Sequence, residues 1–519
     1  MGRRTLGGLI LALWVVLVGW QVRRERFQPE LARLAEAALA LNPGVSFYAI
    51  EMGGRSVGQA TSRLDTVPDG FVLEDVMSLE LPALGQTGTA VARTRVSLSS
   101  ALEMRDFVFS LVSEVGRFEA EGTVRGDSSL VVTIRSDASS ETVEYRLGSP
   151  PVFSAVVPIR VAMGGDLEVG RSVRFPVFDP SSLSTRPVEV RVLERDTMIV
   201  PDSVVLNPAT GRFEPSPEND TIPVWRIAET FGGVSLESWI DEDGRVIEAS
   251  SPLGFSMRRT EYELLRQERE DQRLAGGGGS PVDADLILST AIRSDVVLDD
   301  LEERDQLAFV LSGVDLAGFD LDGGRQTLRG DTLFVRRENW DALDPGYGLP
   351  YKSMDLADAL RAEPLIQSGD PRIVEAARRI VGRRGEEDPL TATRRLTQEV
   401  YARLDKAMTF SVPSAVQVLE SGRGDCNEHT VLFVAMARAL GMPARTAVGL
   451  VYLDGSFFYH AWPEVWLGKW VAVDPTFGQW PADAAHIRFV VGGLAQQVEI
   501  VRLIGQLDID VVEPDLEGA

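Results

Sequence analysis

The sequence predicts a multidomain α+β chain in three parts: an N-terminal membrane anchor, an antiparallel β-rich middle region and a C-terminal α+β domain. Three observations carry this. Residues 5–22, between Arg4 and Arg23, hold no charge. From Val45 to Leu253, strand-like runs alternate with Gly, Asp, Ser and Pro turns. From residue 353 onward apolar residues recur at intervals of three and four, the period of a helix face.

Size and charge agree. At about 150 residues per domain, 519 residues suggest three or four. The net charge is 52 − 77 = −25, which removes the Lys/Arg surface that nucleic-acid binding by counterion release requires. One cysteine, Cys426, and three histidines, His429, His460 and His486, exclude an intramolecular disulfide and a multi-cysteine zinc site.

The N-terminal run TLGGLILALWVVLVGWQV is just long enough as a helix to span a bilayer core. Trp20 and then Arg23, Arg24 and Arg26 follow it, with no small-residue cleavage site. An uncleaved single-pass anchor over 1–26 is therefore expected, followed by a helical stem over 27–44. Arginines flank both ends, so the positive-inside rule leaves the orientation open.

Residues 45–270 read as one large or two medium antiparallel β domains. SLVVTIRS, ETVEYRLG and PVEVRVLE are strand-like, and GGVSLESWIDEDGRVIEAS reads as a hairpin turning at Asp243-Gly244. The Gly276–Gly279 run marks a flexible linker over 271–283. A small β-rich domain is expected over 284–340, the main C-terminal domain over 341–500 and a tail over 501–519. Helices are expected at Pro371–Val381 and Pro389–Leu404, each opening on a proline suited to a first turn.

Residues 422–443, GRGDCNEHTVLFVAMARALGMP, spell a further helix. Asp425 caps it, Glu428 completes a capping box, and Gly441 and Pro443 stop it. Cys426 falls at the first helical position. There the helix dipole favours thiolate, and free N–H groups can hold an oxyanion. A low-pKa nucleophile is the expectation. The competing reading is a buried core cysteine, which would not explain a capped start among Gly, Asp and Asn.

A thiolate nucleophile needs a base, and the base an orienting group. The runs 444–452, 457–467 and 470–474 read as successive strands. His460 lies on the middle one and Asp474 ends the next. Glu464 is some 13 Å along the same strand from His460 at about 3.3 Å per residue, too far to orient it. His429 shares the nucleophile's helix, and His486 lies in a loop-like stretch with no evident partner. A three-residue connection pairing Trp466 with Trp470 puts Asp474 diagonal to His460, within hydrogen-bonding reach. Arg423-Gly424-Asp425 is explained by the turn and cap. Asp320-Leu321-Asp322-Gly323-Gly324 opens like a calcium loop but lacks the later acidic ligand. No cofactor and no metal site is expected.

The segments GDCNEHTVLFVAMARALGMPAR, YHAWPEVWL and KWVAVDPTFGQ, in that order, resemble the core of the transglutaminase-like superfamily in its bacterial branch. The resemblance covers about 350–495 and is strongest over 422–480. It implies a papain-like fold, with Cys426 as nucleophile, His460 as base and Asp474 as orienting group. It also implies a thioacyl enzyme formed from a protein or peptide amide and passed to an amine or to water. A second oxyanion donor has no identifiable position. A peptidase or amidase and a non-catalytic scaffold using the β-rich domains are the alternatives. The partners expected are a protein or peptide substrate and, through the N-terminal helix, the membrane. Resemblance to exported relatives puts the catalytic domain on the periplasmic or extracytoplasmic face, with the cytoplasmic face the alternative.

Overall fold

The computed structural model describes residues 30–512 apart from 275–289 and short stretches at 84–85, 115, 127–128, 137–138, 202, 232–233, 252–253, 386–387, 408 and 410–411. The expected anchor lies outside the described residues. Among the described residues no helix is long and apolar enough to cross a membrane.

With the hairpin Val204–Asn207 and Arg212–Pro215 as a separate two-stranded sheet, the β-rich region is built on one 15-stranded sheet. Strand Gly44–Met52 sits in its middle, paired with Arg55–Val67 on one side and Phe255–Thr260 on the other. Antiparallel neighbours run outward to Ser139–Arg146 at one edge. At the other edge Ser172–Asp179 is followed by a short parallel strand, Val152–Phe153. The strands form because inward positions are apolar at a period of two. In Ser129–Ser136, Leu130, Val132 and Ile134 are buried while their neighbours are more exposed. Bulges between Ser97 and Leu98, and between Val192 and Glu194, curve the sheet. Its two halves meet on the inside, where Phe107 packs on Phe178 with ring centroids 5.1 Å apart and Tyr145 on Phe178 at 6.4 Å.

The expected stem is a helix, Glu30–Ala38, but it does not stand free: Ala38 and Leu41 are buried in the core of the rolled sheet. The hairpin turning at Asp243-Gly244 is present between Val234–Ile240 and Val246–Ser250. The expected linker starts later than residue 271, because helix Tyr262–Leu274 runs through that point. Gly276–Gly279 lie outside the described residues.

Among the described residues of the C-terminal half, two larger sheets share a core, and Asp405–Lys406 pairs with Arg423–Gly424 as a short parallel pair. The main sheet orders Ile292–Arg293, Ser456–Trp466, Ala444–Leu453 and His486–Val491, with Trp470–Ala472 also on Ser456–Trp466. The second sheet orders Gln326–Arg329, Thr332–Arg336, Gln306–Ser312 and Asp508–Val512. Two expectations are corrected here. The described part of 284–340, from residue 290 on, does not form a separate domain, and Asp508–Val512 in the expected tail is a sheet strand. Phe309 packs on Phe457 at 5.7 Å and Phe319 on Phe489 at 5.5 Å, so one hydrophobic cluster spans both sheets. A sheet buries its apolar face only against another layer, and these two do so against each other.

Helices Pro371–Gly385 and Pro389–Arg403 pack with Cys426–Ala439 in a second cluster. Leu432 to Ala437 have no exposed surface, which explains why that stretch is apolar on every side. Burying Phe433 and Leu432 contributes roughly 2–3 kcal/mol each.

Candidate active site

The cap geometry begins the site. Asp425 is the N-cap of Cys426–Ala439, and its carboxylate accepts from the Asn427 N–H at 2.9 Å. Glu428 accepts from the Asp425 N–H at 3.1 Å and from Thr409 Oγ1 at 2.6 Å. Gly424 permits this: a Cβ there would lie 2.1 Å from Glu428 Cβ. Cys426 is thereby fixed at the first helical position, half-buried, with its sulfur hydrogen-bonded at the Ala461 backbone. Thr430, one turn on, donates to the Ala461 carbonyl at 3.0 Å and ties the helix to the strand that carries His460.

The orienting pair is built by register. Trp466 pairs with Trp470 and Glu464 with Ala472, so the connection has three residues. His460 Nε2 lies 2.7 Å from Asp474 Oδ2, with Asp474 wholly buried and His460 nearly so. The other oxygen, Oδ1, accepts from the N–H groups of Thr476 at 2.6 Å and Phe477 at 3.2 Å. This turn locks the carboxylate. Phe477 stacks on His460 at 5.0 Å and 19°, and Trp462 lies nearly parallel at 6.1 Å, which fixes the imidazole plane. With Nε2 engaged, Nδ1 is the ring nitrogen left to accept a proton.

Electrostatics corrects one expectation. The Cys426 thiol is pushed up, not down, by burial first and then by the Asp425 carboxylate, against the hydrogen bond at Ala461. The capping box that starts the helix also brings Asp425 and Glu428 beside the sulfur, and their charge opposes the dipole. Asp425 is itself raised by burial and by Glu428. A free-standing thiolate is therefore disfavoured. Burial raises Asp474, but the charges and hydrogen bonds of His460 and His486 outweigh it and hold the carboxylate far below its usual range.

His486 is the residue that sequence reasoning set aside. It opens strand His486–Val491 and is wholly buried. Its Nε2 lies 3.0 Å from Asp474 Oδ2, the oxygen that His460 uses, and its Nδ1 lies 2.9 Å from Asp483 Oδ1. The available signal was Asp483, three residues before it. The partner at Asp474 appears only when the strands assemble. The atoms offered by His460, Asp474 and His486 fall within 4.8 Å of one another. Their 2.7 and 3.0 Å separations are those of two N–H groups converging on one carboxylate oxygen.

The remaining candidates have other roles. His429 is buried, its Nδ1 2.6 Å from the Asp425 carbonyl, and burial holds it below the ordinary imidazole range. Glu464 is bound to Arg445 and Arg488. His429 Nε2, Tyr459 OH, Trp462 Nε1 and Thr476 Oγ1 are buried without a partner among the described residues. Outside the network, a cleft of about 680 Å³ runs along the Cys426–Ala439 helix between the rolled sheet and the C-terminal half. Asn427, Val431, Arg438, Tyr145, Leu183 and Trp470 are among its walls.

Comparison with known proteins agrees with the fold. Residues 375–475 match the profile of the transglutaminase-like superfamily. No match to a curated protein was found. Three solved structures are similar in part. A candidate cysteine protease from Cytophaga hutchinsonii is 16% identical, with 40% of this chain and 83% of that one covered at a TM-score of 0.28. A β-barrel-like protein from Brucella abortus is 13% identical, with 42% and 95% covered at 0.31. The periplasmic domain of TgpA from Pseudomonas aeruginosa is 18% identical, with 34% and 75% covered at 0.23. The chain carries, over residues 375–475, a domain of the transglutaminase-like superfamily.

Proposed function

We propose that this protein is a cysteine enzyme that forms a thioacyl intermediate on Cys426 from a protein or peptide amide and passes it to an amine or to water. The observation that carries the reading is the buried 2.7 Å hydrogen bond from His460 to Asp474, next to the Ala461 backbone against which the only thiol rests.

His460 Nδ1 takes the thiol proton as sulfur attacks the amide carbon. The new oxyanion is met by the Cys426 N–H at the first helical position, since the Asp425 carboxylate takes the Asn427 and Glu428 N–H groups. The C–N bond breaks, and the leaving amine takes the proton back from His460. In the second half an amine or water gives its proton to His460 as it attacks the thioester, and the departing sulfur recovers it. Asp474 holds His460 in the Nε2–H tautomer throughout. The raised thiol favours this general-base route over a resting ion pair.

The uncharged run at 5–22 anchors the chain as a single pass, with the enzyme domain extracytoplasmic. Labelling of intact cells by a membrane-impermeant thiol reagent tests this; labelling seen only after lysis would place the domain inside.

The test of the chemistry is mass spectrometry of the protein incubated with a glutamine-containing peptide. An adduct on Cys426 of peptide minus ammonia, absent in Cys426→Ala, is expected. Ammonia release with incorporation of an added amine identifies a transferase; release with hydrolysis alone identifies an amidase. Failure to form any adduct, with alkylation of Cys426 no faster than that of a free thiol, would leave only the scaffold reading.

A further inference from the structure

We infer that His486 is a positioning residue for this reaction: wedged between Asp474 and Asp483, it fixes the Asp474 carboxylate toward His460 and supplies a counter-charge. The inference rests on the cysteine-enzyme reading above.

The geometry is specific. Asp474 Oδ2 receives both histidines and Oδ1 receives two backbone N–H groups, so no acceptor position is left to drift. Both His486 ring nitrogens face carboxylate oxygens, which a neutral imidazole cannot satisfy because one nitrogen is then an acceptor. Asp483 is itself held in place. Its Oδ1 also accepts from the Ala485 N–H at 2.9 Å, and its Oδ2 accepts from Gln479 Nε2 at 3.0 Å. Arg325, buried, donates to the carbonyls of Ala482 and Asp483 at 2.8 Å each and so pins the loop from the neighbouring sheet.

The charged groups facing His486 are Asp474, Asp483 and His460, whose ring centroid is 6.0 Å away. Arg325 acts through backbone carbonyls and pairs with Glu338. Arg488, two residues along the strand, is paired with Glu464 and Asp320. Trp462 presents its ring perpendicular to His486 at 5.2 Å, and Phe477 lies at 6.5 Å. Burial disfavours the charge on His486, but the two carboxylates outweigh it and hold the imidazole well above its ordinary range.

A cation there makes His460 harder to protonate. Removing it should therefore move the acid limb of Cys426 reactivity to higher pH. For a charge 6.0 Å away, at an effective dielectric of about 20, the shift is about one to two pH units.

The experiment is the pH dependence of iodoacetamide alkylation at Cys426 in the full chain, with nitrogen-15 NMR of the three histidines. His486 is expected to carry two protonated ring nitrogens at neutral pH. His486→Gln, which keeps a donor but not the charge, should shift the limb upward and slow alkylation at pH 6 by about tenfold. If His486→Gln does not fold, the wild-type nitrogen-15 signature of His486 decides the inference. A folded variant whose limb coincides with the wild type, or a singly protonated His486 at pH 7, would overturn the inference. Wild-type alkylation matching a free thiol and indifferent to His460→Ala, with a doubly protonated His486, overturns the enzyme reading and the catalytic role together, and is separable by that NMR signature.

Discussion

Replacing Asp474 by Asn changes one atom in a place where four hydrogen bonds converge. The substituted amide would keep an oxygen for the Thr476 and Phe477 N–H groups, which now reach Oδ1 at 2.6 and 3.2 Å. It would present an NH₂ where Oδ2 now accepts from His460 at 2.7 Å and His486 at 3.0 Å. Donor would then face donor. His460 can relieve this only by turning Nε2 into an acceptor, which moves its proton to Nδ1. In that tautomer Nδ1 cannot take the proton of the Cys426 thiol. Loss of tautomer control in a triad costs on the order of 10⁴ in rate, about 5 kcal/mol of transition-state stabilisation. The fold also suffers, because a buried pair loses its anion, at about 3–5 kcal/mol. The assay is the pre-steady-state burst of p-nitrophenol from an activated ester, with melting followed in parallel. Folded Asp474→Asn that acylates within about tenfold of the wild type would refute the assignment of Asp474 as orienting group.

Cys426→Ala should abolish acyl-enzyme formation and His460→Ala nearly so, whereas His429→Gln should leave the alkylation rate of Cys426 within a few-fold, since His429 is a neutral buried residue bonded to the Asp425 carbonyl; iodoacetamide kinetics on each variant reads this pattern. Stability should fall as pH rises through the alkaline range. His486 is held at about 9 against 6.5 in the unfolded chain, so its contribution is complete below pH 6.5 and lost as pH passes 9. The amount is about 3 kcal/mol, and thermal melts across pH 6–10 should show a slope that His486→Gln flattens. Asp474 is depressed, so its contribution is present above about pH 4 and lost in acid. Arg325→Met should destabilise by about 3–5 kcal/mol, because Glu338 is left buried without its 3.4 Å partner, while Arg325→Met with Glu338→Leu should cost less than the single change; urea unfolding of the single and double variants gives the coupling.

Local physics made much of the site legible in the sequence. A capping box needs only Asp425 and Glu428 three apart, an apolar run marks Cys426–Ala439 as buried, and strand alternation with one connection length puts Asp474 near His460. Each of these is decided within a helical turn or a hairpin, where spacing fixes geometry. The direction of the thiol shift was not legible. It is the balance of burial against nearby charge, and burial depends on what the rest of the chain packs over Cys426. His486 was missed for the same reason: its two partners lie three and twelve residues back, and its position against Asp474 follows from strand His486–Val491 lying beside Ala444–Leu453. The division at residue 341 failed because composition reports where texture changes, not where a core ends. Phe309 on Phe457 and Asp508–Val512 on Gln306–Ser312 join segments far apart in sequence, and only tertiary packing decides that two small sheets must share one core to bury their apolar faces.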